Sequence, residues 1–227
     1  MIDEQAGKLL LVDKEVGWTS FDVVKRLRGQ LREKKVGHAG TLDPLATGLL
    51  IVCTGKKTKT IDQLMGLEKE YTGTMVIGKT RPSVDLETEI DSETAIDHLQ
   101  EADVMEAAKA FNGEIMQTPP LFSAIRIDGK RAYEHARKGE DVKLAARPVV
   151  IYDLEVTQIN LPLVEFRIVC SKGFYIRSWV RDFGLKLGVG AYMQGLRRTR
   201  IGSYKIEDAA TVDEIVQLYK TGSTDIL

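Results

Sequence analysis

Twelve consecutive residues, Gly37-His38-Ala39-Gly40-Thr41-Leu42-Asp43-Pro44-Leu45-Ala46-Thr47-Gly48, constrain this chain more than any other stretch. The three glycines among them permit backbone angles or close approaches that a Cβ would obstruct. Pro44 fixes its own φ and turns Asp43 away from helical geometry. The consequence is a carboxylate on a stiff, bent backbone. Asp-Pro also opens many helices, with Asp as N-cap and Pro in the first helical position, and that structural reading can coexist with a chemical one. Chemistry is favoured by the company Asp43 keeps: His38, the hydroxyls of Thr41 and Thr47, and no Lys or Arg from Val36 to Gly55 to balance its charge.

A chain of 227 residues can bury a substantial core, and its formal net charge of −1 conceals two opposite surfaces. Between Asp85 and Glu106 lie nine Asp or Glu and no Lys or Arg, whereas Lys172 to Lys205 holds eight Lys or Arg against Asp182 alone. Further basic stretches are Lys25, Arg26, Arg28, Arg32, Lys34 and Lys35, then Lys56, Lys57 and Lys59, then Arg126 to Arg147 with a surplus of three positives. Singly, each fits a solvated helix face. Together, interleaved with Tyr133, Phe174, Tyr175 and Trp179, they point to a groove for nucleic-acid phosphates.

Cys53 and Cys170 end apolar, β-like runs in which a free thiol behaves as a small buried hydrophobe. There is no CxxC pair, and His38, His98 and His135 are scattered, so no metal is expected. No stretch reads as a signal peptide or a bilayer span; the expectation is a cytoplasmic protein without a membrane partner.

The patterning alternates strands and helices. Leu9 to Val12 reads as a buried strand, and Thr19-Ser20 with Asp22 starts a basic amphipathic helix to about Leu31. Leu49 to Cys53 reads as a strand, Thr58 to Met65 as a short helix, and Tyr71 to Ile77 as a strand. Asp103 with Glu106 opens a helix that stops at Asn112-Gly113. Asp128-Gly129 suggests a hairpin turn after Leu121 to Ile127, and Arg131 to Lys138 a basic helix. Val149 to Thr157 and Leu163 to Cys170 form an antiparallel pair, so the sheet is expected to be mixed. Tyr175 to Leu187 is a core-facing helix, Leu196 to Ile206 a strand, and Thr211 with Glu214 caps a last helix.

At this point the chain resembles the TruB-type tRNA pseudouridine synthases, which convert uridine 55 of the T-loop to pseudouridine. Gly37 to Gly48 is similar to the family's active-site motif. Leu11-Val12-Asp13-Lys14, Lys69-Glu70-Tyr71, Phe122-Ser123-Ala124, Ser171 to Arg177 and Leu196-Arg197-Arg198 fall in the family's order, and the likeness runs from Leu9 to the last helix. It implies an α+β pseudouridine synthase fold, with a central, mixed and largely antiparallel sheet flanked by helices. One catalytic domain would span residues 1–227, with an inserted RNA-gripping thumb at about 113–147. The resemblance makes Asp43 the catalytic aspartate, Tyr71 the ring stacked on the target base and Arg177 the cation paired with Asp43. Tyr175 and Leu196 would line the uracil pocket. His38 would lie near the place the base vacates, Lys14 and Lys59 would hold the RNA or the loop bearing Asp43, and Lys130 and Arg131 would contact phosphates. The implied partner is the T-arm of tRNA, and a monomer is expected.

The chemistry explains those residue types. Isomerising uridine breaks the C1′–N1 bond, turns the uracil and joins C5 to C1′, with no redox change and no group lost, so no cofactor is expected. An ionised Asp can attack C1′ or remove the C2′ proton, and the sequence does not choose between them. A neighbouring guanidinium favours the carboxylate, typically by about 1–3 pKa units. Extruding the base from its loop costs a few kcal/mol, and stacking on an aromatic ring returns about 1–3 kcal/mol.

Three departures from the family stand out. Glu15 replaces the usual Pro after Asp-Lys, the stretch Gly78 to Asp85 replaces a commoner Thr-Asp-Thr-x-Asp pattern while retaining Asp85 and leaves the role of its neighbours open, and Leu227 falls where many relatives continue into an RNA-binding PUA domain. Without that module, an isolated T-arm hairpin is expected to compete nearly as well as full tRNA. Two other functions remain open: an RNA-binding or tRNA-folding module without catalysis, and a pseudouridine synthase acting on another RNA.

Overall fold

The computed structural model describes residues 7–123, 126–127, 130–132, 134, 140 and 144–221. In chain order its elements begin β1 (Leu9–Lys14), α1 (Ser20–Gln30), β2 (Val36–His38), β3 (Thr47–Thr54), α2 (Ile61–Gly66), β4 (Lys69–Ile77), β5 (Lys79–Thr80), β6 (Ser92–Glu93) and α3 (Glu101–Lys109). They continue β7 (Gly113–Gln117), β8 (Arg126–Ile127), β9 (Lys130–Arg131), β10 (Arg147–Asn160), β11 (Leu163–Cys170), α4 (Ile176–Lys186), β12 (Ala191–Ile201), β13 (Tyr204–Lys205) and α5 (Val212–Thr221). The chain divides into two compact units, Met1–Thr72 with Leu196–Leu227, and Gly73–Gly195. This is the expected α+β class, and one parallel strand pair among antiparallel ones makes the sheet mixed.

In the first unit, β1 runs antiparallel to β3, with Leu9 opposite Cys53 and Lys14 opposite Gly48. β2 pairs antiparallel with the other end of β3, and β12 joins β3 in parallel through Arg197 opposite Thr47 and Arg198 opposite Gly48. Successive strand residues point to opposite faces, so a strand covered on both sides must be apolar throughout. β3 shows this: Leu50 and Val52 pack with Leu10, Val12, Val24 and Leu27, while Leu49, Ile51 and Cys53 pack with Ala39, Leu64 and Ile201. Helix α1 has the expected reciprocal cap between Thr19 and Asp22. Its Val23, Val24 and Leu27 share a cluster with Val212, Ile215 and Val216 of α5.

In the second unit, β7, β10 and β11 form an antiparallel sheet, with Gly113 opposite Ile151 and Asn160 opposite Leu163. Helix α4 buries Trp179, Val180 and Phe183. Trp179 meets Phe166 edge-on at 4.7 Å between ring centroids, and Phe183 stacks on Phe111 at 5.7 Å. No helix among the described residues is long and apolar enough to cross a membrane.

Several expected boundaries shift. The strand read over Leu196 to Ile206 begins at Ala191 and stops at Ile201, because Gly202, at φ 55°, reverses the chain into β13. The helix read as opening at Asp103 starts at Glu101, capped by Gln100, with Asp103 as the reciprocal partner. The helix read over Thr58 to Met65 is a 3-10 turn, Gly55–Thr60, followed by α2. Within the expected thumb, 113–117 and 147 are sheet residues, and Arg126–Ile127 pairs antiparallel with Lys130–Arg131, while the turn expected at Asp128-Gly129 lies outside the described residues. Arg131 is therefore in a strand; most of the basic helix expected from there to Lys138 lies outside the described residues.

Candidate functional site

The Asp43 loop connects β2 to β3. The Ala46 N–H donates to the Asp43 carbonyl at 3.0 Å, closing a turn with Pro44 in its second position, where a φ near −65° is wanted. No helix follows; the chain enters β3 at Thr47, so the N-cap reading of Asp43 is wrong. What the sequence could not decide was tertiary: the apolar residues from Leu49 onward are covered on both faces, which suits a strand. Gly48, at φ 100°, lies so close to the neighbouring strand that a Cβ would sit 2.3 Å from the Arg198 carbonyl oxygen.

Four side-chain and main-chain groups fasten this loop. Ser20 Oγ accepts from the Leu42 N–H at 2.9 Å and donates to the Leu42 carbonyl at 3.2 Å. The Gly17 N–H donates to the Pro44 carbonyl at 2.8 Å. Lys14, fully buried, donates from Nζ to the carbonyls of Trp18 at 2.7 Å, Glu15 at 3.0 Å and Pro44 at 3.4 Å. Arg198, 1% exposed, donates from its guanidinium to the carbonyls of Leu49 at 2.7 Å, Gly40 at 3.2 Å and Thr41 at 3.5 Å. Glu15, where the family's Pro is missing, leaves that turn closed through its carbonyl.

These charges feel one another. Burial brings the Lys14 pKa down to about 8, the Asp43 charge opposes that shift and the Arg198 charge adds to it. Burial, followed by the Arg198 charge, also holds half-buried His38 below its ordinary pKa, which favours the neutral imidazole. The structure thus brings Lys14 within electrostatic reach of Asp43.

The other residues predicted in this unit sit as follows. Leu196 is half-buried on β12, its carbonyl accepting from Thr47 Oγ1 at 3.4 Å. Tyr71 is buried on β4, and Lys69 two residues earlier donates to the carbonyls of Met65 and Leu67, both at 2.6 Å, at the end of α2. Lys59 is exposed on the 3-10 turn.

In the second unit Arg177 occupies the first turn of α4 and is 5% exposed. Its Nε lies 3.5 Å from the Asp85 carboxylate, equally buried, and it donates to the carbonyls of Ser83 at 3.1 Å and Phe122 at 2.7 Å. Asp85 is the residue retained from the family pattern in a segment that otherwise departs from it, and here it is buried against Arg177. The backbone there is strained: Val84, buried and β-branched, has φ 61°. Tyr175, half-buried, is held by Gln117, which accepts from its N–H at 2.8 Å and donates to its carbonyl at 3.1 Å. The Arg147 guanidinium lies 5.1 Å from the Tyr175 ring centroid. Lys130 and Arg131 form β9, and their side chains lie outside the description. Sequence reasoning missed the functions of Ser20 and Arg198 and the pairing of Asp85 with Arg177; a Ser at a helix start, an Asp in an acidic run and an Arg in a basic run each resemble surface residues until burial is known.

Residues 28–176 match the family described as TruB family pseudouridylate synthase (N terminal domain), and residues 177–226 match the tRNA pseudouridylate synthase B C-terminal domain. A Flavobacterium johnsoniae protein named tRNA pseudouridine synthase B is 51% identical over 213 residues, 91% of this chain and 93% of that one. A protein of the same name from Chloroherpeton thalassium is 49% identical over 93% of this chain and 90% of its own length. Among solved structures, a chain from a Cbf5-Nop10-Gar1 complex is 33% identical with a TM-score of 0.76; the match takes in 98% of this chain but 57% of that one. The first of these matches includes the whole Asp43 loop and most of the chain, which therefore belongs to the TruB family of pseudouridylate synthases.

Proposed function

We propose that this chain isomerises uridine 55 in the T-loop of tRNA to pseudouridine, with Asp43 as the catalytic carboxylate. The observation that carries the reading is a family motif whose single acid rides on a non-helical turn, tied at Leu42 and Pro44 to Ser20, Gly17 and Lys14. Relatives about half identical are named tRNA pseudouridine synthase B. A solved relative, 31% identical with a TM-score of 0.71, is an H/ACA RNP bound to a substrate RNA containing 2′-deoxyuridine.

In this reading the T-arm delivers an extruded uridine, and Tyr71 stacks on the base in place of its loop neighbours. The Asp43 carboxylate attacks C1′ or takes the C2′ proton, freeing the uracil to turn. C5 then bonds to C1′ as the C1′–Asp43 ester breaks or, on the second route, as Asp43 returns the proton to C2′; the C5 proton leaves to restore the ring, and N1 ends protonated. The resemblance gives Arg177 the role of the cation for this chemistry and Tyr175 and Leu196 that of residues lining the uracil. Half-buried His38, its pKa lowered by burial, takes the place beside the gap the base vacates. The reaction is placed in the cytoplasm, where its substrate is found.

The test is release of label from tRNA carrying tritium at uracil C5, followed by mapping of the modified nucleotide. Release from the unaltered protein at the T-loop uridine is expected. Asp43→Asn should slow it by at least about 10³-fold, the scale seen when a group at the centre of a catalytic unit is removed, while T-arm affinity stays unchanged. Equal release from both proteins would remove Asp43 from the mechanism, and none from the unaltered protein would favour a binding module.

A further inference from the structure

We propose that Arg198 is a positioning residue that joins the Asp43 loop and the strand bearing Leu196 into one rigid piece; this rests on the reading of Asp43 as the catalytic carboxylate. The guanidinium leaves β12 and takes three main-chain carbonyls, Gly40, Thr41 and Leu49, which bracket Asp43 in sequence on both sides. At the same point β12 is zipped to β3 in parallel, with Arg198 opposite Gly48. Gly48 has no Cβ, which lets the two backbones close, and Thr47 Oγ1 adds a bond to the Leu196 carbonyl. Leu196 and Arg198 are two residues apart on one strand, so any slip of β12 moves the pocket residue and the loop anchor together.

The chemistry of the group favours this over simple filling of space. A planar guanidinium presents donors in fixed directions and can reach carbonyls in different parts of a loop at once, whereas an ammonium on a flexible stem concentrates its donors at one point. Arg198→Lys therefore keeps the charge and most of the volume but cannot serve Leu49, Gly40 and Thr41 together. The loop loses definition on the Gly40 side while Ser20 and Lys14 still hold Leu42 and Pro44. A carboxylate that must approach one atom of a sugar is sensitive to such a change: misplacement by about 1 Å can cost about 10²-fold in rate.

Single-turnover tritium release, equilibrium T-arm binding, thermal melting and hydrogen exchange of residues 40–46 should be measured for the unaltered chain, Arg198→Lys, Arg198→Gln and Asp43→Asn, well below the melting temperature of each. The expected result is a release rate about 10²-fold lower in Arg198→Lys and lower still in Arg198→Gln. Binding should change by less than about 3-fold, since no RNA contact is removed. Exchange should quicken at the amides of the loop. Release at the unaltered rate by folded Arg198→Lys would overturn the proposal while leaving the role of Asp43 standing; unchanged release by Asp43→Asn would overturn the underlying reading instead. Failure of both Arg198 variants to fold would also count against it, because the proposal requires a folded protein with a displaced carboxylate.

Discussion

The two units hold their buried charges by opposite means. In the unit carrying Asp43, Lys14 and Arg198 bind main-chain carbonyls. In the other, Arg177 meets the carboxylate of Asp85 as well as carbonyls. Carbonyl dipoles fix a cation without cancelling its charge, so Arg198 still acts at a distance on Lys14 and on His38. A carboxylate both fixes and neutralises. The first arrangement builds a field around a loop; the second builds a hard point in the fold.

Arg177 should show the largest effect, because its removal unbalances the buried Asp85 and, on the proposed reading, also removes a group the chemistry uses. Arg177→Met leaves the Asp85 carboxylate buried without this cation, which typically costs about 3–5 kcal/mol. Double substitution with Asp85→Asn should recover part of that stability, since the uncompensated charge goes too. It should not recover release of C5 label if Arg177 also serves Asp43. Denaturant melts beside label release measure the two together; joint recovery would make Arg177 a structural residue alone.

Lys14 tests the field on the other side. Its folded pKa of about 8 lies below the ordinary 10.5, so between those values the unfolded chain binds more protons than the folded one. The Lys14 contribution to stability therefore rises with pH across that window. The stability lost in Lys14→Met should be larger at about pH 10 than at about pH 7, the reverse of what a conventional ion pair gives. Activity should run the other way, falling as pH rises through about 8, because a neutral amine holds the Pro44 carbonyl less firmly. Lys14→Arg, which stays charged, should lose that fall; an unchanged alkaline limb would assign it to another group.

The parts of this molecule that were legible in sequence are those where the local chain has little choice. The Thr19-Asp22 and Thr211-Glu214 caps announce α1 and α5, and Pro44 with the flanking glycines announces the bend at Asp43. Less legible was anything decided by distant packing. Asp43-Pro44 fits a helix start as well as a turn, and coverage of β3 on both faces settles it. Ala191 to Met193 are all buried, without the alternation that marks a strand. Asp85 is one of nine acids in its run and Arg198 one of eight cations in its own, so composition hides both. Their burial, at 4% and 1% exposure, is what separates them from solvated neighbours.

The smallest effects separate stability from positioning within the first unit. Thr19 and Thr211 make matching reciprocal caps, one with Asp22 and one with Glu214. Replacing either by Ala removes a bond to a helix N–H and should cost about 1 kcal/mol. The two helices differ in what they carry. The first turn of α1 holds Ser20, whose hydroxyl clasps Leu42 beside Asp43; the start of α5 contributes Val212, Ile215 and Val216 to the core. Equal losses in melting should therefore be accompanied by slower label release in Thr19→Ala and by unchanged release in Thr211→Ala. Equal release from both would mean that Ser20 keeps its clasp when α1 frays, leaving the loop to Lys14 and Arg198.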